Sequence, residues 1–149
     1  MDFFLSIINS IKIGDKILMD DGLIELSVVK KVKNDIICEI ITGGELSNNK
    51  SINLPDGNIH LPYMSEKDRE DIIFGIKNDF DFIAASFVRS AYDVMEVKKI
   101  LEENGGEDIL IISKIENGEG VDNIDEIIKV SNGIMVARGD MGVEIPFEQ

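Results

Sequence analysis

Most of the information about the fold lies in one apolar segment that ends in charge, Ile109-Leu110-Ile111-Ile112-Ser113-Lys114-Ile115-Glu116-Asn117-Gly118. A short run this rich in isoleucine is typical of a strand that is buried on both faces of a parallel sheet. Because side chains alternate across a strand, Lys114 and Glu116 are predicted to point to the same side. A cation and a carboxylate would then lie side by side at the carboxyl end of the strand, where parallel α/β sheets place their chemistry. The alternative is a plain ion pair that closes the strand.

A second apolar segment runs into charge and glycine in the same way, Gly133-Ile134-Met135-Val136-Ala137-Arg138-Gly139-Asp140-Met141-Gly142. An amphipathic helix between the two segments completes a strand–helix–strand unit, whose right-handed crossover brings both carboxyl ends to one rim. Glu116 and Asp140 are therefore predicted to lie together on this rim, with Lys114 beside them. Two carboxylates are a common protein contribution to a Mg²⁺ site, and a lysine suits a phosphoryl oxygen. Gly139 allows a ligand to approach the backbone closely.

A polar loop from Gly43 to Gly57 divides the remaining sequence into a β part and an α/β part. Before it, turn signals separate predicted strands at 16–20, 24–28 and 36–41, which indicates an antiparallel meander. After it, helices near 65–77, between 90 and 105, and near 123–130 alternate with three apolar strands, which predicts part of a parallel sheet. The loop is the best candidate for a domain hinge.

The helices carry start signals and apolar faces that can be checked. Ser65 with Asp68 forms a variant of the capping box, and Ser90 can cap the second helix. The predicted buried positions of the three helices are Ile72, Ile73 and Ile76, then Val94, Val97 and Leu101, then Ile124, Ile127 and Ile128.

The composition excludes several classes of protein. The 149 residues are 44% hydrophobic and 30% charged with a net charge of -14, which is typical of a globular protein and argues against a nucleic-acid binder. No apolar run approaches the roughly 20 residues of a membrane span, and Asp2 stands where a signal peptide would be basic. The single cysteine, Cys38, rules out an internal disulfide and fits a reducing compartment. We therefore expect a cytoplasmic protein with no nucleic-acid or membrane partner.

Three segments resemble sequences of the pyruvate kinase family. Residues Ile112-Ser113-Lys114-Ile115-Glu116-Asn117-Gly118-Glu119-Gly120-Val121 resemble its active-site signature, and Met135-Val136-Ala137-Arg138-Gly139-Asp140-Met141-Gly142-Val143-Glu144-Ile145-Pro146 resembles its next strand and loop. Lys50-Ser51-Ile52-Asn53-Leu54-Pro55 resembles the exit of the β domain that caps its active site, although the family usually has glycine at the position of Ser51. The resemblance implies a partial (β/α)8 TIM barrel of three parallel strands with helices, at 58–149. Part of a small β-barrel cap domain, at 1–57, would precede it.

The same resemblance implies phosphoryl transfer from phosphoenolpyruvate to ADP, giving pyruvate and ATP in glycolysis. Lys114 would be the catalytic residue and, with the backbone of Gly139 and Asp140, would bind substrate. Glu116 and Asp140 would hold Mg²⁺, and Lys50 would bind the nucleotide. K⁺ is expected for the full family enzyme, with ligands that this sequence lacks. Family members are homo-oligomers. His60 stands where the family more often has an acidic residue, and we give it no role.

A complete barrel needs roughly 250 residues, whereas this sequence offers three of eight strands, with both sheet edges bare. We therefore expect an isolated chain of marginal stability that self-associates and needs a complementary fragment for activity. Two alternatives stay open. The chain could be a catalytically inactive fragment or association module of a pyruvate kinase. It could instead be a Mg-dependent lyase or aldolase of the phosphoenolpyruvate/pyruvate barrels, which also place a Glu and an Asp on Mg²⁺.

Overall fold

An antiparallel sheet of four strands makes up most of the first part of the chain. In the computed structural model, which describes residues 8–55 and 62–145, its strands are β1 (Lys16–Met19), β2 (Ile24–Val32), β3 (Asp35–Thr42) and β4 (Ile52–Asn53). The strand order is β3-β2-β1-β4. Asp20 and Asp21, in the turn between β1 and β2, have φ angles of 53° and 54°, a left-handed conformation that aspartate tolerates better than most residues. The three predicted strands are confirmed.

Strand β4 corrects the prediction of a continuous polar loop from Gly43 to Gly57. It pairs antiparallel with β1, with Leu18 opposite Asn53 and Met19 opposite Ile52. Two residues are too few to show an alternating pattern in the sequence. The strand forms because the backbone N–H and C=O groups of β1 are available to pair with it. The use of this loop as a hinge stays a prediction, and His60 lies outside the described residues.

The second part of the chain alternates helices with three parallel strands. Its elements are α1 (Glu66–Lys77), β5 (Phe82–Ala85), α2 (Ala91–Glu103), β6 (Leu110–Ile115), α3 (Gly118–Asp122), α4 (Ile124–Val130), β7 (Gly133–Val136) and α5 (Arg138–Glu144). The strands pair in the order β5-β6-β7, and both pairings are parallel. The predicted α/β fold with three parallel strands and helices is therefore confirmed.

The chain divides into two compact units by its internal contacts. One consists of Met1–Leu61 and Gly142–Gln149, and the other of Pro62–Met141. The predicted division into a cap domain at 1–57 and a barrel domain at 58–149 stays a prediction, because its boundary falls among residues 56–61, which the structure does not describe.

The helices of the second unit follow their predicted signals with one exception. Ser65 and Asp68 form the complete capping box of α1, and the Ser90 side chain accepts the first-turn N–H of Asp93 in α2. Ile127 is fully buried, but Ile128 is 51% exposed, so its predicted burial is wrong. Helix α4 is only seven residues long, and its buried face is too narrow to include both Ile127 and Ile128.

Strand β6 is buried on one face rather than on both as predicted. Ile111, Ser113 and Ile115 are buried. Ile111 and Ile115 belong to the hydrophobic core that also contains residues of α2 and α4. The opposite face keeps substantial exposure, 57% for Phe82 and 40% for Leu110. Alternation and strand register place seven residues on this face, which we call the open face: Phe82, Ala84, Leu110, Ile112, Lys114, Gly133 and Met135.

Candidate active site

Lys114 and Glu116 form an ion pair at the carboxyl end of β6, as their spacing predicts. The Lys114 Nζ lies 2.6 Å from Glu116 Oε1, and the two side chains are 23% and 1% exposed. Burying a carboxylate is costly unless charge and hydrogen bonds compensate for its lost hydration. The pair is therefore held in place by its surroundings and differs from a solvated surface ion pair.

The turn that follows β5 contacts both members of the pair. The Lys114 ammonium donates to Ser86 Oγ over 3.0 Å, and the Phe87 backbone N–H donates to Glu116 Oε2 over 2.5 Å. The sequence alone indicates no role for Ser86 or Phe87. The one signal in the sequence is that Ser86 is a polar residue at the end of a predicted strand, and this position does not indicate which residue it contacts.

One oxygen of Glu116 is chemically available to a cation. Glu116 Oε1 is buried and has no hydrogen bond, although it faces the Lys114 ammonium. A carboxylate oxygen with free lone pairs is the ligand that Mg²⁺ prefers. Within residues 8–55 and 62–145, no group of three or more His, Cys, Asp or Glu side chains could hold a metal. Mg²⁺ commonly binds through one or two carboxylates together with water and substrate oxygens.

Asp140 is not brought into this cluster. It lies in the first turn of α5, its side chain is exposed, and no hydrogen bond or ion pair in the described structure joins it to Lys114 or Glu116. The resemblance implied a loop here, whereas the chain forms a helix in which the Met141 N–H donates to the Ala137 carbonyl over 3.0 Å. An acidic residue in the first turn stabilises a helix through its dipole. Gly139 is exposed in the same turn, and the joint metal and substrate roles of these residues stay predictions.

Lys50 lies in the first unit, where it is paired with an aspartate. Its Nζ is 2.6 Å from Asp20 Oδ1, with side-chain exposures of 38% and 15%. The hydrogen bond and charge of Asp20 raise the pKa of Lys50 above its usual value, so the lysine remains a cation. The neighbouring Ser51 hydroxyl donates to Asp21 over 3.0 Å, and the Asp20 N–H donates to the Ser51 carbonyl over 3.2 Å. Lys50 is thus exposed enough to meet an anion, which would compete with Asp20.

Comparison with known proteins gives one consistent result. The family model described as the pyruvate kinase barrel domain matches residues 2–149. A pyruvate kinase of Clostridium perfringens is 56% identical over 93% of this chain and 29% of the relative. Pyruvate kinases of Staphylococcus haemolyticus and Staphylococcus aureus are 54% and 55% identical over 95% and 97% of this chain, in each case 25% of the relative.

The chain therefore spans between 25% and 29% of the length of these relatives. In the part of the chain that the structure describes, no helix has the combination of length and hydropathy needed to cross a membrane.

Proposed function

The chain belongs to the pyruvate kinase family, and from this premise we propose that it contributes the phosphoryl-transfer site of that reaction. The substrates would be phosphoenolpyruvate and ADP, and the products pyruvate and ATP. The observation that carries the proposal is the ion pair between the part-buried Lys114 and the buried Glu116 at the carboxyl end of a parallel strand. A ligand at this rim would meet an ammonium and a carboxylate that are already positioned.

The chemistry of phosphoryl transfer favours this pair. The transferred group develops little covalent bonding to the protein, and catalysis depends on positioning and on neutralising charge. Lys114 would stabilise charge on the phosphoryl oxygens and on the enolate that leaves. Glu116 would hold Mg²⁺, together with Asp140 if α5 rearranges, and the ion would polarise the substrate oxygens. The backbone N–H groups of Gly139 and Asp140 would bind the substrate carboxylate.

We assign Lys50 to the nucleotide. It is an exposed cation whose present partner, Asp20, is a single carboxylate near solvent. A phosphate chain carries more charge and would replace Asp20 as the partner of the ammonium. A K⁺ requirement, a cytoplasmic location and homo-oligomerisation are expected from family membership alone, and no residue of this chain is assigned to them.

A second candidate is an association module without activity of its own. The specific observation in its favour is coverage, since the chain matches at most 29% of the relatives' length. No observation favours the lyase or aldolase alternative. A lactate dehydrogenase-coupled assay on the purified chain, with and without added Mg²⁺, distinguishes an active chain from an inactive module.

Lys114→Met tests the catalytic assignment. The background is a chimera in which this chain replaces the matching segment of the Clostridium perfringens enzyme. We expect kcat to fall by about 100-fold or more, because an electrostatic contact to the transferring group is lost. Lys67→Met is the matched control, since Lys67 is an exposed lysine paired with Asp71 on the surface of α1. Full turnover by the Lys114→Met chimera, with the control also active, would refute the assignment.

Glu116→Gln tests the metal assignment in the same chimera. Removing the charge while keeping the shape should raise the Mg²⁺ concentration needed for half-maximal activity and weaken Mn²⁺ binding measured by calorimetry. Glu119→Gln changes an exposed carboxylate three residues away and serves as the control. An unchanged metal titration for Glu116→Gln would show that Glu116 is not a metal ligand.

A further inference from the structure

Ser86 and Phe87 form a turn that contacts the ammonium of Lys114 and the carboxylate of Glu116 at the same time. Ala85 is paired with Ser113 in the parallel register, so the next residue, Ser86, is brought beside Lys114. The Lys114 Nζ donates to Ser86 Oγ at 3.0 Å and lies 2.6 Å from Glu116 Oε1. An ammonium has three donor hydrogens. Ser86 Oγ takes one of them, so even with the Glu116 carboxylate as its ion-pair partner the ammonium keeps a hydrogen for a ligand.

The second contact of the turn fixes Glu116. The Phe87 N–H donates to Glu116 Oε2, which leaves Oε1 to face the lysine. Phe87 has a φ of 53°, a left-handed conformation that a bulky residue seldom adopts. Such a conformation persists only where the surroundings fix it. Here it points the amide at the carboxylate instead of continuing β5.

The turn is held rigidly on both sides. The Tyr63 hydroxyl donates to the Ser86 carbonyl over 2.9 Å, and burial keeps the pKa of Tyr63 far above its usual value, so this donor remains protonated. Val88, next in sequence, is fully buried, and its N–H donates to the Lys114 carbonyl over 3.3 Å. The turn is therefore hydrogen-bonded both to Tyr63 and to the end of β6.

We propose that Ser86 is a positioning residue, whose hydroxyl fixes the Lys114 ammonium beside Glu116 and orients its remaining hydrogen toward the phosphoryl group. The role in transfer rests on the proposed function, whereas the positioning of the ammonium does not. If Glu116 held a metal ion, Ser86 would remain as the hydrogen-bond partner of the Lys114 ammonium.

The positioning is tested on the full chain by NMR, without substrate or metal. Ammonium hydrogens of exposed lysines exchange with water too fast to be observed, while hydrogen-bonded and part-buried ones give ¹H–¹⁵N signals. We expect one such signal that is absent in Lys114→Met. Ser86→Ala and the nearly isosteric Ser86→Cys should lose it, and Ser86→Thr should retain it. Ser47→Ala, at an exposed serine with no hydrogen bond in the described structure, should leave it unchanged.

The outcomes separate positioning from a structural role. A serine that only stabilises the fold would change the unfolding midpoint and leave the ammonium signal of the folded protein intact. Persistence of the signal in Ser86→Ala, or its absence from the unmodified chain, would overturn the proposal. If Ser86→Ala loses its dispersed amide spectrum, the comparison of Ser86→Cys with Ser86→Thr decides in its place.

The consequence for transfer is measured in the Clostridium perfringens chimera. Ser86→Ala should lower kcat between about 10- and 100-fold, because a misplaced catalytic group loses the productive geometry, while KM for ADP stays unchanged. Ser86→Thr should restore kcat. An inactive parent chimera would refute the proposed function and leave the NMR result standing. If the chimera is active and Ser86→Ala leaves its kcat unchanged, the role of Ser86 in transfer is refuted.

Discussion

Gly120, in helix α3, lies against the backbone of the turn that follows β5. An added Cβ would come within 2.5 Å of the Val88 carbonyl oxygen, and a backbone atom cannot rotate out of the way as a side chain can. We expect Gly120→Ala to lower the free energy of unfolding by about 1–3 kcal/mol, the usual cost of overpacking. Urea unfolding followed by circular dichroism measures this change.

The control for Gly120 lies two residues earlier in the same helix. An added Cβ at Gly118 would meet no atom within 4 Å, so Gly118→Ala should be neutral or stabilise the protein by at most about 1 kcal/mol. Equal destabilisation by both substitutions would mean that the close approach to the Val88 carbonyl does not determine the effect, since Gly118 has no such neighbour.

The local part of the site could be predicted from the sequence, and the part formed between strands could not. Lys114 and Glu116 are two residues apart, so alternation alone places them together. Ser86 joins them only through the register of β5 against β6, and no residue pattern in either strand specifies that register. The left-handed φ of Phe87 was also unpredictable, because phenylalanine is a poor candidate for it.

Helix α1 begins with a capping box whose strength depends on pH. The Ser65 hydroxyl and backbone N–H both hydrogen bond to Asp68, and they lower its pKa below the ordinary 3.8. Since the folded pKa is the lower one, the ionised carboxylate stabilises the helix above 3.8. That contribution is lost as the pH falls through the folded value.

We therefore expect Asp68→Asn to be less stable than the unmodified chain at neutral pH and to lose less stability than the unmodified chain on acidification. Thermal unfolding at about pH 6 and about pH 3 should show a smaller difference for Asp68→Asn than for the unmodified chain. Glu70→Gln, at an exposed carboxylate of the same helix, is the control and should behave like the unmodified chain. If the stability of Asp68→Asn fell between these two pH values as much as that of the control, the stabilising role of the ionised Asp68 carboxylate would be contradicted.

Long periodic elements were predictable because their own residues specify them. The face of Val94, Val97 and Leu101 in α2 is buried as its spacing predicts. Strand β4 and helix α5 were missed for different reasons. Strand β4 is two residues long and is specified by its neighbour β1, whereas α5 contains two glycines, which lower helix propensity.

At the scale of the whole chain, an exposed apolar surface and a large net charge have opposite effects on self-association. The open face exposes Phe82 at 57%, Leu110 at 40% and Met135 at 45%, and the strands at its two edges, β5 and β7, each have only one described partner in the sheet. Exposed apolar patches and unpaired strand edges favour association. A net charge of -14 disfavours it, but salt screens this repulsion. Association should therefore increase with ionic strength.

We expect sedimentation velocity to show larger species at about 0.5 M salt than at about 0.05 M salt, where the screening length is several times greater. Phe82→Glu should reduce this association, because it places a charge on the open face. Tyr92→Glu adds the same charge at a residue of α2 that is 71% exposed, and it should reduce association less. If the chain stays monomeric at high salt and unfolds in one sharp two-state transition, the open face does not drive association. In that case the three-stranded unit is stable without further strands.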